Sequence, residues 1–219
     1  MKSDLTIVYY TNNREKPAFA AAVMKTLLET IGDLPLITVS QKPMDVGQNI
    51  VVGDVGSSTQ NTWRQFQIGA MAAKTKYVCT AEADCLYPPE YFQYRPTVDN
   101  AICCALPMWV LMARYGTAKC YIPKKMGSFG AAMMEREPVI AAMEEILRPL
   151  GQWGNVDENA FGFGNIFHHM KRDYFKIRHP VVSIKTDAGL HRMTPKYHGK
   201  RRIVDYWGES HHLMRRYGV

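Results

Sequence analysis

Long apolar runs are missing from this sequence of 219 residues. The longest, from Ala101 to Ala113, is interrupted by Pro107 and fits a buried segment better than a membrane-spanning helix, which needs about 20 apolar residues. The start, Met1 to Asp4, leads straight into a strand-like run and lacks the apolar core and cleavage site of a signal peptide. We therefore expect a cytoplasmic protein with no membrane partner.

Cysteine pairs are also missing. The five cysteines are odd in number and show no CxxC spacing, which argues against a disulfide framework and against a zinc site. Internal repeats and low-complexity linkers are absent too, so we expect one domain over residues 1–219. The cysteines expected to be reduced and mostly buried are Cys79, Cys85, Cys103, Cys104 and Cys120.

Negative charge is scarce at the end of the chain. The formal net charge is +7, and residues 191–219 hold seven Lys or Arg, two Asp or Glu and four histidines. A basic segment of this kind favours a polyanionic partner such as nucleic acid or a phosphorylated substrate, and a solvated basic surface is the alternative.

The first third of the chain has the pattern of alternating strands and helices. Residues 4–13 are β-formers that end in small polar residues, Lys16 to Ile31 carries apolar residues every four positions, and residues 34–41 form a second apolar run. This order predicts a βαβ unit with a parallel sheet. A helix over Thr62 to Ala73 and a third strand over residues 75–84 continue the pattern.

The stretches between and beyond these elements are less regular. Residues 46–61 are rich in Gly, Asp and Ser and are predicted as a loop, and Ala101 to Leu106 is predicted as a strand. The run SFGAAMMERE, residues 128–137, is predicted as a turn entering a helix. The next residues, 137–150, form an amphipathic helix that ends at Pro149.

Two carboxylates, Glu82 and Asp84, stand two residues apart at the end of the third predicted strand. Side chains with this spacing point to the same side of a strand, where like charges repel unless a cation neutralises them. Mg²⁺ and Mn²⁺ prefer oxygen ligands and often keep substrate phosphates in their remaining positions. A solvated loop pair is the alternative, but the carboxyl end of a strand in an open parallel sheet favours a ligand site.

Up to about residue 90 the chain resembles the nucleotide-sugar domain of GT-A type glycosyltransferases, especially family 2-like members. The resemblance is carried by IVYYTNN, by R-Q-x-x-x-G-A-x-x-A from Arg64 to Ala73, and by EADC at the place of the DxD motif, with Glu82 replacing its first Asp. It implies an α/β fold of the GT-A (Rossmann-like) type, with a mixed, mostly parallel sheet flanked by helices. Residues 1–95 would bind the nucleotide sugar, and residues 96–219 the acceptor.

The resemblance also implies a metal-dependent hexosyl- or pentosyltransferase that uses Mn²⁺ or Mg²⁺. Asp84 would ligate the metal directly, and Glu82 would approach the ribose or a metal-bound water. Arg64 and Gln65 would lie near the nucleotide, with a surface salt bridge and a structural hydrogen bond as their alternative roles. The implied contacts to base and ribose come from Thr11, Asn12 and Asn13.

Two later features are expected in such an enzyme. The first is an acid that deprotonates the acceptor hydroxyl, for which NVDENAFG offers Asp157 or Glu158; acids at the start of a helix also complement its dipole, which is the alternative. The second is a late metal ligand, for which His191 is the candidate by position, and a structural histidine is the alternative.

The basic tail bears on the acceptor. Its cations alternate with aromatic residues that can stack on bases, and small transferases of this type resemble those that bacteriophages use to decorate modified DNA bases. A hydroxymethylated base, flipped from the duplex, is therefore one acceptor, and the location would then be the host cytoplasm. A saccharide or small molecule is the other, with the tail closing over the donor diphosphate. The aromatic residues are Tyr197, Tyr206, Trp207 and Tyr217.

Two other functions fit part of the pattern. A sugar nucleotidyltransferase also uses acids at strand ends with a metal, but it usually has a glycine-rich phosphate loop after the first strand, and YYTNNREKP contains no glycine. A non-catalytic nucleic-acid-binding protein would explain the basic tail and would leave Glu82 and Asp84 without a role.

Overall fold

The computed structural model describes residues 3–112, 121–124, 127–154, 168–186, 188 and 201–219. The helices in these ranges are α1 (Pro17–Ile31), α2 (Thr59–Ala72), α3 (Pro89–Gln93), α4 (Arg136–Leu147) and α5 (Ser210–Tyr217). The strands are β1 (Leu5–Thr11), β2 (Leu36–Ser40), β3 (Gln48–Val51), β4 (Tyr77–Glu82), β5 (Cys85–Leu86), β6 (Ala101–Met112), β7 (Tyr121–Lys124), β8 (Ala132–Glu135), β9 (Lys171–Lys185), β10 (Ile203–Val204) and β11 (Gly208–Glu209).

The first nine of these strands form one mixed sheet. Its order is β3-β2-β1-β4-β8-β6-β9-β5, and β7 pairs with β6. Strands β3, β2, β1 and β4 are neighbours in this order and run parallel to one another. Strand β8 is antiparallel to both β4 and β6, and β9 runs parallel to β6. The predicted mixed, mostly parallel sheet flanked by helices is therefore confirmed.

The βαβ unit forms where the apolar pattern predicts it. α1 has Pro17 at its first position, where the missing N–H costs nothing, and it ends at Gly32, which has a φ of 55°. Its apolar stripe is buried, and it consists of Phe19, Val23, Leu27 and Ile31. α2 begins slightly before the predicted Thr62, because the Ser58 hydroxyl caps the helix by accepting a hydrogen bond from the N–H of Asn61 at 3.1 Å.

Apolar side chains cover both faces of the sheet. In β1, Val8 and Tyr10 pack in one cluster with residues of α2 and α4, while Ile7 and Tyr9 pack in another with residues of α1 and α3. Both sets are almost fully buried. The alternation along a buried parallel strand therefore fixes the sheet between two helical layers.

Two strands lie where the sequence predicted other structure. β3 falls in the predicted loop 46–61, and its residues are exposed or half-buried. β8 occupies part of the stretch that was predicted to turn into a helix, and its apolar residues are buried between β4 and β6. Neither prediction was correct. An exposed edge strand has little apolar signal, and the three apolar residues of β8 fit a strand and a helix equally.

The basic tail ends in a helix that packs on the first helix. Tyr217 of α5 is buried, makes an edge-to-face contact with Phe19, and has its Oη 2.8 Å from the Oγ1 of Thr26. This contact attaches the end of the chain to the α1 side of the sheet. Among the helices in the described ranges, none combines the length and apolarity needed to cross a membrane.

Candidate functional site

The carboxyl ends of β1 and β4 lie side by side. These strands are parallel neighbours, with Tyr10 opposite Glu82. The loop after β1 and the acidic stretch after β4 therefore share one edge of the sheet, where open α/β sheets bind ligands. The structure brings Glu82 and Asp84 together with the segment formed by Thr11, Asn12 and Asn13.

Glu82 is half-buried and is oriented by two tyrosines. Tyr10 donates its hydroxyl to Glu82 Oε1 at 2.9 Å, while Tyr87 Oη accepts the Glu82 N–H at 2.9 Å and donates to the Gly130 carbonyl at 2.6 Å. A Cβ at position 130 would overlap the Glu82 carboxylate. Burial and the neighbouring Glu82 charge raise the pKa of Tyr10 well above its ordinary value, so this hydroxyl remains a donor.

Asp84 is held by the end of β9. Its Oδ2 lies 3.1 Å from Lys185 Nζ and accepts from Ser183 Oγ at 3.4 Å, and its carbonyl accepts the Ile184 N–H at 2.6 Å. The side chains of Asp84 and Lys185 are only 14% and 19% exposed. The antiparallel pairing of β5 with β9 thus places against Asp84 a lysine that the sequence analysis did not select.

Burial and the carboxylates of Asp84 and Glu82 determine the protonation of Cys85 and Lys185. Burial, followed by the charges of Asp84 and Glu82, raises the pKa of the Cys85 thiol well above its ordinary value. Its Sγ lies 3.3 Å from Asp84 Oδ1 and 3.7 Å from Glu82 Oε2, so its single S–H proton has two alternative carboxylate acceptors. Burial lowers the pKa of Lys185, but the negative groups around it, led by Asp84, outweigh this, so the net pKa is raised and the ammonium stays charged.

The donor set fits a hard divalent cation. One ligand atom from each of Glu82, Asp84 and Cys85 lies within 4.8 Å of the others. The carboxylate oxygens suit Mg²⁺ or Mn²⁺, which prefer oxygen ligands to the sulfur of a thiol. Such an ion could therefore be held by the two carboxylates, directly or through a bound water, and Lys185 already occupies one side of Asp84.

Glu15 is a further acid at this edge that the sequence analysis did not select. It lies between β1 and α1, and its Oε1 accepts from Thr186 Oγ1 at 2.6 Å. Burial and the charge of Asp84 raise its pKa, while the Thr186 bond and Lys185 act in the opposite direction. Its place in the polar loop directly after the first strand is the signal by which it could have been found.

The loop after β1 is built by asparagine side chains. Asn13 has a φ of 54°, and its Oδ1 accepts the N–H groups of Gln41 and Lys42 at 2.8 and 2.9 Å. Asn12 donates to Ser57 Oγ at 2.9 Å. These bonds tie together the loops that follow β1 and β2 and the one that leads into α2, so the carboxyl edge carries a connected polar rim.

Gln65 and Arg64 point to different places. Gln65 is buried, and its amide donates to the carbonyls of Thr11 and Val39 at 3.0 and 3.1 Å, at the ends of β1 and β2. Arg64 instead donates to main-chain carbonyls at and beyond the end of α4 and to Gln67 in its own helix; the carbonyls belong to Leu147, Gly151 and Gln152. Gln65 thus lies beneath the loop after β1, whereas Arg64 joins α2 to α4. Their contacts to a nucleotide stay predictions.

The remaining candidates, Asp157, Glu158 and His191, lie outside the described residues. In the tail, Trp207 donates its indole N–H to the Pro180 carbonyl at 2.7 Å, and Tyr206 stacks on His179 with ring centroids 4.8 Å apart. Tyr206 is 54% exposed, whereas Tyr217 is buried. Tyr217 therefore cannot stack on a base as the sequence suggested, because its ring packs inside the protein.

No protein-family model matches the sequence, and no curated protein is significantly similar to it. Solved structures do share its fold. S. aureus TarS 1–349 in complex with UDP-GlcNAc aligns with a TM-score of 0.51 and 9% identity, over 89% of this chain and 63% of that one. This chain therefore spans less than two thirds of the TarS structure.

Two further structures align less closely. A glycosyltransferase involved in the glycosylation of the major capsid of PBCV-1 has a TM-score of 0.46 and 9% identity, over 80% of this chain and 81% of that one. The inositol-1-phosphate CTP transferase from T. maritima has a TM-score of 0.49 and 9% identity, over 86% and 91%. At such identities the likeness to TarS concerns the fold alone, and this chain has a GT-A-like mixed α/β fold.

Proposed function

We propose that this protein is a glycosyltransferase that moves a sugar from a nucleoside-diphosphate sugar to a hydroxyl group of an acceptor. The observation that carries the proposal is the pair Glu82 and Asp84 at the carboxyl end of β4, directly beside the polar loop that follows β1. The GT-A-like fold supports it, and the TarS structure that shares the fold contains UDP-GlcNAc.

The donor would lie along the carboxyl edge of the parallel strands. Thr11, Asn12 and Asn13 would contact the base and ribose, with Gln65 holding the end of β1 from below. Glu82 would approach the ribose or a metal-bound water, and its orientation by Tyr10 suits a fixed hydrogen-bond acceptor. The supporting side chains are buried, which favours a preformed site.

A divalent ion, Mn²⁺ or Mg²⁺, would bind at Asp84 and supply the positive charge that the leaving diphosphate requires. His191 would add a late ligand. Asp157 or Glu158 would take the proton of the attacking acceptor hydroxyl. This role requires the carboxylate to lie within hydrogen-bonding distance of the hydroxyl oxygen. These three residues enter the proposal from the sequence alone.

A hydroxymethylated base in DNA is one acceptor that the basic tail would suit. The tail exposes several arginines and the ring of Tyr206, a combination that suits phosphates and a stacked base. A saccharide or small molecule is the alternative acceptor, in which case the positive charge would serve the donor diphosphate. The exposed arginines are Arg201, Arg202, Arg215 and Arg216.

Calorimetry with a panel of nucleoside diphosphates in Mn²⁺ tests the donor site. We expect one of them to bind the wild-type protein and the affinity to fall on the order of a hundredfold in Asp84→Asn, because the variant keeps the side-chain shape and loses the charge that holds the ion. Asp33→Asn is the matched control, since Asp33 is exposed in the turn after α1 at the opposite edge of the sheet. Unchanged binding in Asp84→Asn would contradict the proposal.

Turnover separates this function from its rivals. Release of a nucleoside diphosphate from a sugar nucleotide, increased by an acceptor, supports sugar transfer. Release of pyrophosphate from a nucleoside triphosphate and a sugar phosphate would identify a nucleotidyltransferase instead. Salt-sensitive DNA binding without turnover of any sugar nucleotide would identify a non-catalytic nucleic-acid-binding protein. Comparing plain with hydroxymethylated DNA identifies the acceptor.

A further inference from the structure

A lysine already neutralises the carboxylate that is proposed to bind metal. Lys185 is the last residue of β9, its Nζ lies 3.1 Å from Asp84 Oδ2, and both side chains are largely buried. Ser183, two residues earlier in the same strand, lies 3.4 Å from the same oxygen. One Asp84 oxygen is thus occupied by donors from β9.

The backbone holds this ion pair in place. Cys85 pairs with Ser183 in the antiparallel ladder of β5 and β9, and the Ile184 N–H donates to the Asp84 carbonyl at 2.6 Å. Lys185 extends directly from this ladder. Its position opposite Asp84 is therefore set by strand register, unlike that of a surface pair whose long side chains move freely.

Every other titratable group identified around Lys185 is acidic or neutral. Glu82 and Cys85 lie on the β4–β5 side, and Glu15 lies on the loop after β1, where it bonds Thr186 next to Lys185. Lys185 thus places a buried positive charge against this acidic group. A divalent ion that approaches the carboxylates meets its ammonium at short range.

We propose that Lys185 is a built-in counter-ion that competes with the divalent cation for Asp84 and so sets the metal concentration at which the site fills. The inference rests on the proposed role of Asp84 as a metal ligand. An ion bound to Asp84 and an ammonium held at hydrogen-bond distance from its Oδ2 repel each other, so metal binding is weakened unless Nζ moves away.

The experiment measures binding of Mn²⁺ alone, by calorimetry, to the full chain. We expect Lys185→Gln to bind Mn²⁺ about tenfold more tightly than the wild type or better, because it removes the competing charge. Lys185→Arg, which keeps the charge, should bind no more tightly than the wild type. Lys176→Gln is the matched control, since it removes an exposed lysine from the same strand.

Thermal unfolding verifies that each variant is folded. Lys185→Met, which keeps the length of the aliphatic stem, is a second neutral variant. If Lys185→Gln does not fold, the Mn²⁺ affinity of Lys185→Met is used instead. Mn²⁺ affinity within twofold of the wild type in a folded neutral variant overturns the proposal, and so does the absence of Mn²⁺ binding from wild type and neutral variants alike.

Failure of the proposed function gives a different result. A protein that binds no nucleoside diphosphate and turns over no sugar nucleotide would still reveal competition between Lys185 and Mn²⁺ in this titration. Conversely, an unchanged Mn²⁺ affinity in the Lys185 variants leaves the donor-binding test with Asp84→Asn intact.

Discussion

Glu15 shows how the site affects stability through a single carboxyl group. It lies in the loop after β1 and is half-buried, and its pKa is raised by burial and by the charge of Asp84, against the opposing effects of the Thr186 bond and Lys185. The folded protein therefore binds the Glu15 proton more tightly than the unfolded chain does. Such a group contributes stability below its unfolded pKa and loses that contribution as pH rises through its folded pKa.

Replacing Glu15 by glutamine should therefore stabilise the protein at neutral pH. The amide is never charged and still offers an oxygen to Thr186 Oγ1, so we expect the melting temperature at pH 7 to rise by up to about 3 °C, equivalent to about 1 kcal/mol or less in a chain of this size. The gain should shrink towards about pH 4, where the wild-type carboxyl also becomes protonated.

Thermal unfolding of wild type and variant from pH 4 to pH 8 makes this measurement. Glu29→Gln is the control, because Glu29 is exposed on α1 and its salt bridge with Lys25 is a surface pair. A Glu15→Gln protein that is less stable than wild type at pH 7 would show that the charge of Glu15 stabilises the fold.

At the scale of elements, α2 approaches β1 very closely. Gly69 faces the sheet, and a Cβ there would overlap Val8 and come within 3.2 Å of Val39 Cγ2. One turn earlier, Gln65 bonds the carbonyls of Thr11 and Val39. The glycine thus permits the short distance at which a helix side chain reaches the ends of two strands, and so supports the loop after β1.

Gly69→Ala should lower the free energy of unfolding. The added methyl forces the helix away from the sheet, which costs about 1–3 kcal/mol, and the higher helix propensity of alanine returns about 1 kcal/mol. Because the added Cβ would overlap the stiff Val8 side chain, we expect a cost near the upper end of that range and a net loss of about 2 kcal/mol in urea unfolding. Met71→Ala, on the exposed side of the same helix, should change stability by no more than about 0.5 kcal/mol. A Gly69→Ala protein as stable as wild type would contradict this account of the packing.

For the whole molecule, the sequence predicts the first βαβ unit better than the rest of the sheet. β1, α1 and β2 follow from local signals, namely a buried apolar run, an apolar residue every fourth position, and Gly32. β3 and β8 do not, because their strand character comes from the neighbours they pair with. β8 lies between β4 and β6, a position that no property of its four residues specifies.

The candidate site divides in the same way. Glu82 and Asp84 could be selected because acids at the end of an apolar strand are visible in the sequence. Lys185 could not, because it meets Asp84 across 101 positions of chain and only through the register of β5 against β9. Arg64 is a candidate because it belongs to the R-Q-x-x-x-G-A-x-x-A motif. Its hydrogen bonds to the carbonyls at and beyond the end of α4 could not be predicted, because they depend on how α2 and α4 pack.

The positive net charge is a property of the whole molecule with a localised source. Exposed arginines of the tail lie on and before α5, which packs on α1, whereas Glu82 and Asp84 lie at the carboxyl edge of the sheet. If the acceptor is DNA, replacing four exposed arginines of the tail by glutamine should weaken DNA binding. The slope of log affinity against log salt concentration should become shallower by about 0.9 for each phosphate that the variant no longer neutralises. If these arginines serve DNA alone, binding of a nucleoside diphosphate should stay within about twofold of wild type. The four are Arg201, Arg202, Arg215 and Arg216.

A second variant with the same reduction of charge tests whether position matters. Exposed cations elsewhere can be replaced by glutamine, namely Lys25, Lys74, Lys76 and Arg148. Net charge falls equally in both variants, so a non-specific attraction of a basic protein for DNA would weaken equally in both. DNA affinity is measured by fluorescence anisotropy over a series of salt concentrations. A docking surface on the tail requires the larger decrease in DNA affinity in the tail variant. An equal decrease in DNA affinity in the two variants would contradict a DNA-binding role of the tail. A lower nucleoside-diphosphate affinity in the tail variant alone would mean that these arginines contact the donor.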